Sequence, residues 1–262
     1  MSTFSAYGVS LGVDVPAGAG QAWWDEELPA LMSPRVTPAY DALVVDEAQD
    51  FADAWWPPLL ASLNEQLVFV AGDERQTVFT GRSGSPALDM TVLTLEENVR
   101  NTAQIAGTFA PLSHERMRYL GGDGAPVELV ASSQDRACDD ADSVVEGLLD
   151  EGYGPGDIAV LTTLHRHENH KRVEEQVGKD GFWDGFWMDD EVFYGTVVGF
   201  KGLERPVVVL AVDGFRADVA RDVMYTGLSR ARDRLVVVGD LEIIRTVVGD
   251  EVCRRLSSRS VT

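Results

Sequence analysis

The sequence predicts an α/β protein built on parallel sheets, and three observations carry that expectation. Short apolar runs recur along the chain at Ala42–Val45, Leu67–Ala71, Val92–Leu95, Val127–Val130, Ile158–Thr162, Val192–Val198, Val207–Val212 and Leu235–Val238. Several are continuous Val/Leu/Ala stretches without alternation, the pattern of strands covered on both faces. Helical stretches lie between them, at Ala54–Asn64, Thr102–Leu112, Gln134–Glu151, His165–Val177 and Ala217–Asp233. Alternation of strand and helix argues for parallel pairing through crossovers. Glycine clusters at 121–124 and 152–156 supply turns between elements. Residues 1–38, rich in Gly, Ala and Pro, read as a loop with one helix over Gln21–Met32.

With 262 residues, the chain has room for one large or two modest domains. Its hydrophobic content of 45 %, with ten Phe and six Trp, is enough for a real core. No run of about 18 apolar residues is present, so no membrane span is expected. The first residues lack a basic segment and include Asp14, which speaks against a secretory signal. Cys138 and Cys253 fit no metal spacing. Two free thiols in a cytoplasmic chain is the plain reading.

Charge narrows the class of partner. The formal net charge is -21, and residues 1–150 hold 24 acids against 7 arginines. Non-specific binding to duplex DNA is driven by phosphate neutralisation, so a chain this acidic is repelled by it. Any nucleic-acid contact must then use a local groove. A solubility or high-salt adaptation gives the same composition.

The most specific motif is Tyr40-Asp-Ala-Leu-Val-Val-Asp-Glu-Ala-Gln-Asp50. A buried strand there delivers Asp46 and Glu47 to its C-terminal end, where α/β sheets place ligands. One carboxylate can hold Mg²⁺, a hard ion that keeps several waters. The other can polarise a water for attack on a phosphate. A solvated acidic turn is the alternative. The second strand run continues as Gly72-Asp-Glu-Arg-Gln-Thr-Val-Phe79. Gln76 is suited to sensing a γ-phosphate, and Phe79 offers a face to a base, worth roughly 1–3 kcal/mol. A turn cap and a core residue are the alternatives for these two.

Five such segments, in order, resemble the helicase motifs of the UvrD/Rep-like superfamily 1 DNA helicases. Asp46–Asp50 looks like motif II and Gly72–Phe79 like motif III. Leu95-Glu-Glu-Asn-Val-Arg100 looks like motif IV. Thr196-Val-Val-Gly-Phe-Lys-Gly-Leu-Glu204 looks like motif V, and Val223-Met-Tyr-Thr-Gly-Leu-Ser-Arg-Ala-Arg232 like motif VI. The resemblance implies a RecA-like fold of the P-loop NTPase type. Residues 41–90 would form a truncated first domain, 91–262 a complete second one, and 1–40 an extension. It implies ATP and Mg²⁺ as ligands, with Asp46 on the metal, Glu47 the catalytic carboxylate and Gln76 on the γ-phosphate. Arg100 and Arg230 would be arginine fingers, whose forked donors suit phosphate oxygens, and Glu204 would accept from the ribose. Phe79, Thr196 and Lys201 would lie along single-stranded DNA. The sequence departs from the family at Gly81, where a stacking Trp is usual, and at Val198–Gly199, where a His is common.

Motif I, Gly-x-x-x-x-Gly-Lys-Ser/Thr, is absent. The only lysines are Lys171, Lys179 and Lys201, all far beyond motif II. That loop would surround the β-phosphate with backbone N–H groups and place a lysine on the β- and γ-phosphates. The expectation is a helicase module inactive alone, with a partner polypeptide supplying the P-loop. A degenerate, non-catalytic interaction module is the alternative. Among other segments, Leu164-His-Arg-His-Glu-Asn-His170 reads as a solvated helix start rather than a metal site. Phe182-Trp-Asp-Gly-Phe-Trp187 reads as packing, and Trp55-Trp56-Pro57-Pro58 as a helix start laid on the sheet.

Overall fold

The computed structural model describes residues 2–65, 67–73, 82, 84, 86, 88–113 and 117–259. The chain divides into two compact units, Met1–Val92 and Leu93–Thr262.

In the first unit, α1 (Phe4–Ser10) and α2 (Leu28–Met32) precede strand β1 (Leu43–Val45), helix α3 (Trp56–Ala61) and strand β2 (Val68–Val70). The sequence had suggested no helix at α1. It starts from a Thr3 cap whose hydroxyl accepts from the Ala6 N–H at 3.1 Å. It is held by packing: Phe4 stacks on Trp55 with centroids 4.4 Å apart. A turn of π-helix, Trp23–Glu27, runs into α2. β1 and β2 pair in parallel with Leu43 opposite Val68. Val45 and Trp56 are buried together under one face, with Pro57 and Pro58 opening α3 as expected. Strand side chains alternate in direction, so Val44 and Phe69 point to the other face, where both are exposed.

The second unit contains short strands β3 (Glu97–Asn98) and β4 (Arg118–Tyr119), paired with each other, and helix α4 (Ala103–Phe109). Its main sheet uses β5 (Glu128–Ala131), β6 (Ile158–Thr162), β7 (Phe193–Thr196), β8 (Arg205–Ala211), β9 (Ala231–Gly239) and β10 (Ser257–Arg259). The strand order is β10-β5-β9-β8-β6-β7, and every pair is parallel. This is the α/β parallel-sheet class that the apolar runs predict. Helices α5 (Ala137–Asp150), α6 (Glu168–Met188), α7 (Ala220–Leu228), α8 (Leu241–Val248) and α9 (Asp250–Cys253) complete the unit.

Both faces of the central strands are covered. Val207, Val209, Val236 and Val238 point to α5, which presents Ala137, Ala141, Val144, Val145 and Leu148 at helical spacing. Val208, Leu210, Leu235 and Val237 point to the other layer, with Ile105, Met224, Leu228 and Ile244. Phe182 and Phe186 of α6 pack in the same layer, so the aromatic segment is mostly core, while Trp187 stays exposed. α6 breaks its helical geometry at Gly178, with φ of 75°.

Two further expectations fail. Val92–Leu95 is not a strand. Val92, Leu93 and Leu95 are exposed where one unit gives way to the next, and β-propensity without a pairing edge makes no strand. The helix expected over Ala217–Asp233 stops at Leu228, and Ala231–Asp233 begin β9.

Candidate functional site

In the first unit, Asp46 and Glu47 leave the C-terminal end of β1. Glu47 adopts the left-handed region, φ 52° and ψ 40°, which non-glycine residues occupy only where the surroundings hold them there. The Asp46 carboxylate accepts from the Glu47 N–H at 2.9 Å. Gln49, buried, does the rest. Its amide donates to Glu47 Oε2 at 2.6 Å, and its carbonyl accepts from the Asp73 N–H at 3.0 Å. One side chain thus ties the acidic pair to the loop after β2. Gly72 leaves room for it: a Cβ there would lie 2.9 Å from Gln49 Oε1. The sequence showed Gln49 inside the motif without revealing this role. Gln76 and Phe79 lie outside the described residues.

The donor set fits Mg²⁺. Asp46 is exposed and Glu47 half-buried, and Mg²⁺ is held by one or two carboxylates plus water and phosphate oxygens. Among the described residues no group of three or more His, Cys, Asp or Glu could hold a metal by itself.

In the second unit, the N-terminal ends of β8 and β9 gather the other polar residues. Asn98 closes a turn, its carbonyl accepting from the N–H groups of Arg100 at 3.2 Å and Asn101 at 3.0 Å. Asn101, almost fully buried, donates to the Ser229 carbonyl at 3.0 Å and the Ala231 carbonyl at 2.5 Å. The Thr102 N–H adds a bond to the Arg232 carbonyl at 3.0 Å. The Arg100 loop is therefore pinned to the α7–β9 turn, which carries Arg230, and to the start of β9, which carries Arg232. Arg100 Nε meets Glu204 Oε2 at 2.6 Å, and Arg232 Nη1 stands 3.8 Å from Glu204 Oε1. A cleft of about 250 Å³ opens beside them, lined by Gly156, Asp157, Asp189, Glu204, Arg205 and Arg232.

Arg230 is placed differently from the other arginines. It is only 1 % exposed. Its Nε donates to the Thr226 carbonyl at 3.1 Å, Nη1 to the Leu203 carbonyl at 3.3 Å and Nη2 to Ser229 Oγ at 3.0 Å. The guanidinium braces the α7–β9 turn from inside rather than standing on the surface.

Thr196 sits at the opposite, C-terminal end of the sheet. Its hydroxyl accepts from the Gly199 N–H at 3.1 Å and closes a turn. Val197 and Phe200 anchor that turn in the core, leaving Val198 and Gly199 exposed and Lys201 half-buried. The residues singled out in motif V thus serve two ends of one sheet, Thr196 at one and Glu204 at the other.

The three histidines form no metal site, but they are not the solvated helix start expected. His167 caps α6, its Nδ1 accepting from the Asn169 N–H at 3.1 Å, and is buried. His170 is buried and stacks on Phe182 at 4.3 Å. His165 alone is exposed, paired with Asp213 at 3.0 Å. Burial first, then the neighbouring Arg166 charge, pushes the His170 pKa below its ordinary value. The unfolded state then binds a proton that the folded state refuses. Stability from this site is full above pH about 6.5 and falls as pH drops below it. Urea midpoints taken from pH 7.5 to pH 5.5 are expected to fall more steeply in the wild type than in His170→Phe, and equal slopes would refute the assignment.

An α/β unit with an all-parallel main sheet, carrying segments that resemble helicase motifs, is the class these features define. Residues 191–238 match the sequence model of a family described as the UvrD-like helicase C-terminal domain, a stretch that includes motifs V and VI. The chain thus resembles the C-terminal part of the UvrD-like helicases. It is also similar to two solved structures. One is a complex of Arterivirus nonstructural protein 10, a helicase, with DNA: 14 % identity, 83 % of this chain, 44 % of that chain, TM-score 0.47. The other is the helicase of PRRSV: 17 % identity, 91 % of this chain, 45 % of that chain, TM-score 0.47. The chain therefore spans less than half the length of each. A search of curated protein sequences found no match.

Proposed function

We propose that this chain is a UvrD-like helicase module for ATP and single-stranded DNA that does not turn over ATP by itself. Residues 41–90 serve as the part of a first RecA-like domain that carries motifs II and III, and 91–262 as the second. The observation that carries the reading is the pinning of the Arg100 loop to the start of β9 through Asn101, with Glu204 between Arg100 and Arg232. Forked cations facing one carboxylate at the N-terminal ends of two central strands form a place for a phosphate chain and a sugar hydroxyl.

In this mechanism Asp46 and Glu47 work from the end of β1. Asp46 would hold Mg²⁺, which when bound would supply neutralisation of phosphate charge. Glu47, steadied by Gln49, orients the attacking water. Arg100 takes the developing phosphate charge, a role worth roughly 10³–10⁵ in rate in GTPases. Thr196 and Lys201 hold a single strand in a local groove.

The missing Walker lysine decides the activity. The purified chain is expected to hydrolyse ATP at background rate, with or without single-stranded DNA. Turnover at about 1 s⁻¹ or faster, ordinary for enzymes, would refute the reading. Turnover that appears on adding a P-loop polypeptide, and disappears in Glu47→Gln, would support it. The second reading, a non-catalytic interaction module, is favoured by one observation: Arg100 and Glu204 already satisfy each other, and Arg230 is committed to carbonyls. Under that reading no partner rescues turnover.

A further inference from the structure

The first half of α6 is fastened to the second unit through few side chains. Helical geometry breaks at Gly178, with φ of 75° and ψ of 174°, so residues 168–177 form a segment of their own. Within it His170 alone is buried, and Asn169, Val173 and Glu174 are half-buried. A helix this short is marginal in water without packing. Beyond the break, Phe182 and Phe186 root the second half in the core. Two imidazoles therefore do most of the fastening. His167 caps the segment by accepting at Nδ1, which leaves the proton of the neutral ring on Nε2, 3.5 Å from Asp142 Oδ1. Its ring lies on Tyr194 of the edge strand β7, with centroids 4.7 Å apart. His170 stacks on Phe182, and its Nδ1 is buried with no hydrogen-bond partner among the described residues.

We propose that residues 166–177 form an acid-released arm, freed from the sheet when His167 and His170 take up protons. A second proton on His167 turns Nδ1 from acceptor into donor and removes the α6 cap. A second proton on His170 puts a charged donor where the site offers no acceptor. Burial first, then the Arg166 charge, makes the folded site resist that proton. Two carboxylates act in the opposite sense, Asp142 beside His167 and Glu174 at 3.8 Å from His170. Both face Nε2, so neither supplies an acceptor at Nδ1. Tyr194 and Cys138, pushed up to about 12 and about 11, first by burial, stay neutral throughout. The arm has fixed ends. Asp213 accepts from the N–H groups of Thr163 at 3.0 Å, Leu164 at 2.9 Å and His165 at 2.8 Å, and it pairs with the His165 ring. The chain before the arm therefore stays in place in acid, and Gly178 takes up the bend at the other end. Release uncovers the Tyr194 and Phe182 rings.

Hydrogen exchange of the full chain, read by mass spectrometry as protection factors at pH 7.5 and pH 5.5, tests the arm. Peptides within 166–177 are expected to lose about tenfold in protection at the lower pH, the effect of one proton refused a pH unit below the ordinary histidine value. Peptides from 181–188, α5 and β7 should change less than twofold. His170→Phe keeps a stacked ring without a titrating group and should remove most of the loss. Adding His167→Asn, which keeps a cap acceptor, should remove the rest. A loss spread evenly over the second unit overturns the proposal, and so does a loss in the arm that persists in the double variant. The regional comparison is read in the wild type, so it decides the matter whether or not a variant folds.

Discussion

Replacing Arg230 with alanine is expected to cost the second unit about 3 kcal/mol of stability. Two losses add up. The Leu203 carbonyl and Ser229 Oγ lose the guanidinium as donor, while the Thr226 carbonyl keeps Ser229, and an acceptor left short inside the protein costs about 1–3 kcal/mol. The rest is the hole left by a long side chain that is 1 % exposed. Relief of a desolvated charge works the other way, which keeps the figure from being larger. Thermal unfolding should therefore begin some 6–12 °C earlier, at about 2–4 °C per kcal/mol for a unit of this size. The resemblance to helicases suggests an arginine finger at this position, and fingers act at the surface. An exposed guanidinium could be removed at a cost near zero. An unchanged melting temperature would mean that the side chain leaves its pocket and is free for a ligand. A large drop would mean that Arg230 holds the α7–β9 turn, leaving Arg100 and Arg232 as the available cations.

What the sequence made legible follows from where the physics is local. Ile158–Thr162 matches its strand because all five residues are buried in a parallel sheet and so read as one apolar run. The start of β9, Ala231-Arg-Asp233, reads as the end of a helix because its charged residues hide a strand that runs on through Arg234, which pairs with distant Glu128 at 2.9 Å. α8 carried a readable signal that went unused, an Asp240 cap accepting from the Glu242 and Ile243 N–H groups and a Gly249 stop. α1 offered only its Thr3 cap, and stacking of Phe4 on Trp55 sustains it.

The candidate site divides the same way. Motif spacing pointed to Asp46, Glu47, Arg100 and Glu204, whose chemistry is visible in the residue type. Gln49 and Asn101 were invisible as links because an amide says nothing of its target. Asn101 reaches carbonyls 128 and 130 residues away. Gln49 reaches a backbone N–H 24 residues on. Such residues become readable only when the fold brings two loops together.

A second large effect is expected from a single methyl group. In Gly156→Ala the new Cβ would lie 1.7 Å from the Asp189 carbonyl oxygen and 2.3 Å from its carbon. Neither atom is the end of a flexible side chain. Asp189 is itself held, closing α6 in the left-handed region at φ 57° and binding Arg205 at 2.5 Å. The chain cannot yield there without moving the end of α6 and the start of β8 together. Overpacking costs typically 1–3 kcal/mol and more where backbone must shift, so a loss of about 3 kcal/mol or a failure to fold is expected. Gly185→Ala, inside α6, supplies the contrast. It is exposed, and its Cβ would meet nothing within 4 Å. Alanine there should stabilise by roughly 0.5–1 kcal/mol through helix propensity and a less flexible unfolded chain. Opposite signs from the same substitution, read as melting temperatures, would establish that the floor of the cleft is set by the contact of Gly156 with Asp189. Similar small effects from both would show that this floor relaxes, and that the cleft beside Glu204 can change shape to receive a ligand.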